Sequence, residues 1–296
     1  MKYIFTVDIG GTEIKYGIID SSSQLIFKDK MPSKGPLGGK YILDDIIDKF
    51  NLLSKKYSLL GIAVSSGGVI NSKTGEVLSA TGSIKDYIGM NIIHYLNKKL
   101  NVPVSVLNDV NSMALCESFY GAGKNLNSMI ALTIGTGIGG AIIINGNLVE
   151  GSAFSAGEFG LMTIESEIFE EIASTASLVR LAKNIIPSIK NGLDVFKYYD
   201  EGHEEIVKVV NKFYDNLATG IANLIYAFNP DAFIIGGGIS ARTKFIDELN
   251  HHLRNKLSSY MAAHTQIKAA EFKNDAGMIG AFVHFLKQHP DVIHLL

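Results

Sequence analysis

The chain has 296 residues, 47% hydrophobic and 19% charged, with a formal net charge of −2 from 27 basic and 29 acidic side chains. That length allows two domains and a large buried core, while the balanced charge, with no basic tract, argues against nucleic acid or an anionic membrane as the main partner. A single cysteine, Cys116, excludes an intrachain disulfide and a thiolate zinc cluster; no apolar run reaches the ~20 residues of a membrane span, and Met1 leads into a strand without a signal-peptide pattern, so a soluble cytoplasmic protein is expected.

In chain order, the first predicted element is Thr6 to Asp20, TVDIGGTEIKYGIID. Ile4, Phe5 and Val7 make an apolar strand, Gly10-Gly11 a turn, and Tyr16, Ile18 and Ile19 a second strand, which together read as a hairpin. Its polar residues are Asp8, Thr12 and Lys15. An acid, a hydroxyl, a cation and backbone N–H groups at one tight turn suit a metal-bound phosphate chain; an ordinary solvated hairpin is the competing reading.

Gln24 to Lys30 reads as a third strand and Met31 to Lys40, rich in Gly, Pro and Lys, as a loop. Leu43 to Leu53 has helical spacing. Leu59 to Val64 is a buried-type strand followed by the small-residue loop Ser65-Ser66-Gly67-Gly68, and Asn71 to Gly75 a turn. Met90 to Leu100 is predicted helical, Val102 to Leu107 a strand ending at Asn108-Asp109, and Val110 to Tyr120 a helix. Ser128 to Asn145 repeats the plan of the first hairpin and runs into the turn dipeptide Asn145-Gly146. Helices are predicted over Phe169 to Lys183, Glu205 to Phe228 (stopped by Pro230), Phe245 to Leu257 and Ala276 to Leu286, with a strand at Ala232 to Ile235 before Gly236-Gly237-Gly238. Two strand–glycine turn–strand units imply an internal duplication and a two-lobed α/β molecule with a cleft between the lobes.

Gly135-Thr136-Gly137-Ile138-Gly139-Gly140 matches the dinucleotide fingerprint G-x-G-x-x-G. That fingerprint requires the last glycine to open a helix facing the pyrophosphate. Here Ala141-Ile142-Ile143-Ile144 follows, which is strand-like, so the required context is missing. No P-loop is present either. What remains is three glycine turns after apolar strands, at Gly10, Gly135 and Gly236, two of them carrying Thr12 and Thr136, which favours a nucleotide held by backbone N–H groups.

Phosphoryl transfer to an alcohol needs an oriented nucleophile and one carboxylate to take the hydroxyl proton. Asp109 is the candidate, since ligand sites collect at the carboxyl ends of strands in open α/β sheets; the alternative is a helix N-cap, a role open to Asn111 and Ser112 as well. Gly157-Glu158-Phe159-Gly160 offers a second acid in a glycine-framed loop, which read alone is a surface acid. The histidines lack the spacing of a helical metal pair.

These motifs, in this order, resemble the ROK family of sugar kinases of the actin-like/hexokinase superfamily: Asp8-Ile-Gly-Gly-Thr12 with Lys15, Asn108-Asp109-Val-Asn111, Gly135-Thr-Gly-Ile-Gly-Gly140, Gly157-Glu158-Phe-Gly160, Asn229-Pro230-Asp231 with Gly236-Gly-Gly238, and Asn274-Asp275-Ala276-Gly277. The resemblance implies an α/β, two-lobed actin-like ATPase (ribonuclease H-like) fold, each lobe a mixed sheet flanked by helices. Residues 1–113 plus 281–296 would form the small N-terminal lobe and 114–280 the large one. It also implies an ATP-dependent, Mg²⁺-assisted carbohydrate kinase forming a homodimer.

By the same resemblance Asp109 is the general base on the sugar 6-hydroxyl. Asn108 and Glu158 bind ring hydroxyls, with Gly68 and Asn71 bordering the sugar. Gly10, Gly11, Thr12, Lys15, Thr136 and Gly137 hold the phosphates, Asp8 places Mg²⁺, and Gly237 and Gly238 face the adenosine. Where the family has Gly-Glu-x-Gly-His and then a zinc-binding cysteine cluster, this chain has Leu161 and no cysteines, so no structural zinc is expected. The family's third sugar-binding acid falls at Glu170 or Glu171, with Glu170 chosen. The zinc-free loop is similar to that of bacterial β-glucoside kinases, and implies the non-reducing glucose of a disaccharide such as cellobiose as substrate; glucokinase and N-acetylmannosamine kinase are the alternatives. A ROK transcription regulator would need a helix-turn-helix ahead of the first hairpin, for which the sequence leaves no room. A catalytically silent sugar sensor is the remote alternative.

Overall fold

The computed structural model describes residues 1–296. In chain order it contains strands β1 (Lys2–Ile9), β2 (Glu13–Ile19) and β3 (Leu25–Pro32), helix α1 (Gly39–Ser54), β4 (Ser58–Ser66), β5 (Val69–Asn71), β6 (Glu76–Ser79), α2 (Ile92–Leu100), β7 (Val104–Asn108) and α3 (Asp109–Tyr120). The second half has β8 (Met129–Ile134), β9 (Ile138–Ile144), β10 (Asn147–Val149), the short pair β11 (Thr163–Ile164) and β12 (Glu167–Ile168), then helices α4 (Phe169–Ala173), α5 (Thr175–Ile185), α6 (Gly192–Asp200) and α7 (Glu204–Phe228). It closes with β13 (Ala232–Gly236), α8 (Phe245–Arg254), α9 (Ser259–His264), β14 (Gln266–Ala269), α10 (Ala276–Gln288) and α11 (Pro290–Ile293). No helix is long and apolar enough to cross a membrane.

The chain divides into two compact units, Met1–Phe119 with Glu150–Ser155 and Asn274–Leu296, and Tyr120–Val149 with Ala156–Lys273. Boundaries expected at 113/114 and 280/281 would cut α3 and α10. A helix's hydrogen bonds and packed face hold it together, and α10 lies whole in the first unit, as does α3 up to Phe119, its last residue Tyr120 opening the second.

The two units carry the same sheet. The first has the order β3-β2-β1-β4-β7 and the second β10-β9-β8-β13-β14. In each, the hairpin strands pair antiparallel and the two later strands join parallel. The repeated glycine hairpins are therefore the first two strands of a repeated fold.

In the first unit α10 packs on β1, β4 and β7, while Ile42, Leu43, Ile46 and Phe50 of α1 and Ile92 and Leu96 of α2 join Phe5, Val7, Ile62, Val64, Val104 and Val106 in one core. Burial on both faces is why these strands read as unbroken apolar runs. In the second unit Ile206, Val210, Phe213, Leu217 and Ile221 recur at helical spacing along α7 and pack with Ile130, Leu132, Phe233 and Ile235. Asn229, in the left-handed conformation (φ 43°), ends α7 ahead of Pro230.

Four stretches differ from expectation. Ser65 and Ser66 belong to β4. Met31 to Lys40 is no simple loop: β3 runs through Pro32, Gly35–Leu37 forms a 3₁₀ turn and α1 starts at Gly39. The helix expected over Phe169 to Lys183 breaks at Ser174, which is extended (φ −84°, ψ 160°) and caps α5 by accepting from Ser177 N. The helix expected to reach Leu257 stops at Arg254.

Candidate active site

The polar residues of the first hairpin meet on one face. Asp8 lies opposite Lys15 of β2 and beside Ser65 of β4. Ser65 Oγ donates to Asp8 Oδ1 at 2.7 Å, and Lys15 Nζ stands 3.5 Å from Oδ2. A Cβ at Gly277 would lie 2.8 Å from the Asp8 carboxyl, so this glycine lets the carboxylate sit against the first turn of α10. Backbone N–H groups there have no intrahelical partner and favour negative charge. At the turn, Gly10 N donates to Glu13 O and Ser33 N to Thr12 O, leaving Gly11 and Thr12 exposed.

Asn108 and Asp109 divide the two roles that the sequence left open. Asn108 Oδ1 accepts from Val110 N at 2.9 Å and Asn111 N at 3.0 Å, so Asn108 caps α3. Asn111 and Ser112 are buried inside the helix instead. The Asn108 amide donates to Gly68 O at 2.9 Å and to Asp109 Oδ1 at 3.1 Å. Asp109 is exposed, with Oδ1 also accepting from Val110 N and Oδ2 on the side of Gly67. Beneath this turn the Tyr87 hydroxyl and Ser66 Oγ are 2.7 Å apart. Burial pushes the Tyr87 phenol up to about 12, with the Asp109 charge adding to it, so it stays protonated. Neither Ser65 nor Tyr87 was singled out from sequence; the serine pair directly after the apolar run Leu59 to Val64 was the only available signal.

Asn71 closes an Asx turn, its Oδ1 accepting from Lys73 N and Thr74 N at 3.1 Å each. Gly68, at φ 100°, starts the same excursion.

In the second unit the β8–β9 turn is braced by α5: Gly135 N donates to Gly137 O, and Ala176 N of the first helical turn donates to Gly135 O. Thr136 at its tip is exposed. Glu170 points at this turn, its Oε2 accepting from Ile138 N at 3.1 Å, and a Cβ at Gly137 would collide with that oxygen. Glu171 points away and pairs with Arg180 at 3.1 Å, both well exposed. Burial raises the Glu158 pKa above the ordinary carboxylate range and the Glu170 charge raises it further, which puts the two acids in one electrostatic neighbourhood. Leu161 follows Glu158 by one 3₁₀ turn (Leu161 N to Glu158 O, 3.2 Å) and is 61% exposed. Gly140 has its place because the Phe159 ring packs where its side chain would stand, not because it opens a helix.

Gly237, at φ 88°, lies against Ile134 O at the end of β8, which sets the third glycine turn beside the second. The 3₁₀ turn that follows ends at Arg242. Its guanidinium, 13% exposed, holds Asp200 through two 2.8 Å bonds and Glu248 at 2.9 and 2.6 Å, and lies 4.5 Å from the Phe196 ring centroid. This clamp joins α6, α8 and the glycine turn. It has no short-range sequence signature, because its members are 42 and 6 residues from Arg242. Among the histidines, His284 is buried and driven by burial to about 4, a neutral core group.

The sequence model of the ROK family matches residues 4–288. The chain belongs to the ROK family. A β-glucoside kinase of Listeria monocytogenes is 35% identical over 298 residues, covering 96% of this chain and 98% of that protein. Among solved structures, a Listeria monocytogenes protein provisionally assigned as an N-acetylmannosamine kinase has a TM-score of 0.88 at 34% identity, covering 97% of this chain and 99% of that one. A Streptomyces griseus ROK glucokinase in complex with glucose and AMPPNP has a TM-score of 0.80 at 27% identity, covering 94% and 97%. The ROK protein described here thus has the actin-like ATPase fold, and it is an enzyme, an ATP-dependent carbohydrate kinase.

Proposed function

We propose that this ROK kinase phosphorylates the 6-hydroxyl of the non-reducing glucose of a β-glucoside such as cellobiose. The observation that carries this reading is Leu161. It stands open to solvent one turn beyond Glu158, at the position where the family pattern has a sugar-touching histidine. An apolar side chain there suits a pocket that admits a substituent at C1, and the similarity to a β-glucoside kinase supports it.

In this reading Asp109 takes the proton from the 6-hydroxyl as that oxygen bonds to the γ-phosphorus and the bond to the β-phosphate oxygen breaks, giving ADP and the sugar 6-phosphate. Asn108 aims the carboxylate, and Asn108, Gly68 and Asn71 of the first unit and Glu158 and Glu170 of the second are assigned to the sugar. Gly10, Gly11, Thr12, Lys15, Thr136 and Gly137 receive the phosphates, while Gly237 and Gly238 face the adenosine. The residues fit a hydrated Mg²⁺ shared with the nucleotide. Asp8 is one partly exposed carboxylate with a single oxygen engaged at short distance, and Mg²⁺ typically takes one or two carboxylates plus substrate phosphates. Such an ion would neutralise charge on the transferring phosphoryl. The homodimer belongs to this proposal and is read by sedimentation.

The test is ADP release with cellobiose, glucose and N-acetylmannosamine compared at equal enzyme. The highest kcat/KM on cellobiose supports the reading; preference for either monosaccharide replaces it with the corresponding kinase.

A further inference from the structure

The chain leaves the second unit after Val149, lays six residues on the first unit, and returns at Ala156, two residues before Glu158. Two contacts fasten this strap to the turn that follows Asn71. Ser72 Oγ donates to Glu150 Oε2 at 3.0 Å, and Lys73 Nζ stands 6.0 Å from the Phe154 ring centroid. Phe154 is held in the left-handed region at φ 58°. For a bulky side chain that conformation is an outlier, and such strain gathers where a side chain must point a particular way. Phe154 is half-buried, and its neighbours Ser152, Ala153 and Ser155 are small and exposed.

The position of this ring follows from the first unit alone. Asn108 bridges Asp109 and Gly68 O, and three residues of β5 separate Gly68 from the turn that carries Ser72 and Lys73. Three extended residues span roughly 10 Å. The turn that carries Ser72 and Lys73, with the aromatic ring and carboxylate fastened to it, is thus joined to the Asp109 end of the sheet through Gly68 and one short strand. Carbohydrates are bound by such a set: the C–H face of a pyranose lies on the electron-rich face of an aromatic ring, and its hydroxyls pair with charged groups at the edge.

Resting on the β-glucoside reading above, we propose that Phe154, flanked by Lys73 and Glu150, is the platform for the second sugar of the substrate. Phe154 binds the ring attached at C1 and takes no part in the chemistry at the 6-hydroxyl. The backbone at residue 154 is then strained in order to present a side chain, and glycine relieves the strain while deleting the platform.

The chain contains no tryptophan, so Phe154→Trp supplies a sole indole reporter. The experiment measures kcat/KM for cellobiose and glucose in wild type, Phe154→Gly and Phe154→Trp, and follows the indole emission of the Phe154→Trp variant on adding either sugar. The expected result is a loss of about three- to tenfold on cellobiose for Phe154→Gly, unchanged glucose kinetics, and an emission shift with cellobiose but not glucose. If wild type uses cellobiose and Phe154→Gly retains the cellobiose-to-glucose ratio with no emission shift, the platform is overturned and the substrate reading stands. If wild type phosphorylates glucose and not cellobiose, the substrate reading fails first and the platform falls with it.

Discussion

Asn108 donates an amide proton to the Asp109 carboxylate across 3.1 Å while its own carbonyl oxygen caps the helix that Asp109 begins. One side chain thus sets both the start of α3 and the direction of the candidate base. Because the cap is not Asp109, Asp109→Asn is expected to lower kcat by about 10²–10⁴-fold with little change in melting temperature. Asn108→Ala is expected to lose about 1 kcal/mol of stability and activity together. Turnover by ADP release, paired with thermal melts, separates the two; full turnover in Asp109→Asn would remove it as the base.

Glu158 and Glu170 predict a pH response with a definite sign. Glu158 is raised by burial and then by the Glu170 charge, so the folded state holds its proton more tightly than the unfolded chain. Stability from this group falls as pH rises from the ordinary carboxylate value through the raised one. In the proposed role of Glu158, sugar hydroxyls are held better by the carboxylate than by the acid, so sugar affinity follows the opposite course and weakens on acidification through the same window. Glu170→Gln should move the acid limb of the kcat/KM profile to lower pH, whereas Glu171→Gln, on the outward face, should leave it in place.

Leu161→His is expected to shift kcat/KM from cellobiose toward free hexoses. The side chain is exposed, so stability should move by no more than about 0.5 kcal/mol. An unchanged cellobiose-to-glucose ratio would count against the substrate assignment.

Arg242 tests the proposed nucleotide role of the turn at Gly237 and Gly238. Lysine lacks the planar fork that grips Asp200 and Glu248 together, so Arg242→Lys should cost about 1.5–3 kcal/mol in denaturant unfolding. It should also raise KM for ATP without changing KM for sugar, because the turn at Gly237 and Gly238 is what the clamp steadies. A uniform effect on both KM values would reduce Arg242 to a purely structural anchor.

Local motifs were legible in the sequence. The hairpins at Gly10 and Gly135, the break at Asn229-Pro230 and the strand end at Asn108-Asp109 are each specified by a few adjacent residues. Short elements with little periodicity were not: β5, β6, β10, the β11–β12 pair, α6, α9 and β14 escaped notice, and the split at Ser174 needed its cap geometry to be seen. At the candidate site, residue types were readable but the division of labour was not. Asp109 and Asn108 are equally good caps by composition, and only the direction of the Asn108 amide separates them. Distant partners such as Ser65 for Asp8, or Asp200 for Arg242, come together through topology rather than local pattern.

Gly277 lets the first turn of α10 rest on Asp8, and Gly280 lets the same helix meet the Ser112 carbonyl of α3. The first unit is therefore completed by residues synthesised after the whole of the second. On the ribosome the second unit, almost continuous from Tyr120 to Lys273, can acquire its shape while the earlier strands still wait for their closing helix. A nascent chain halted before Asn274 would lack α10 and leave the β1–β4–β7 face it covers open to aggregation and chaperones.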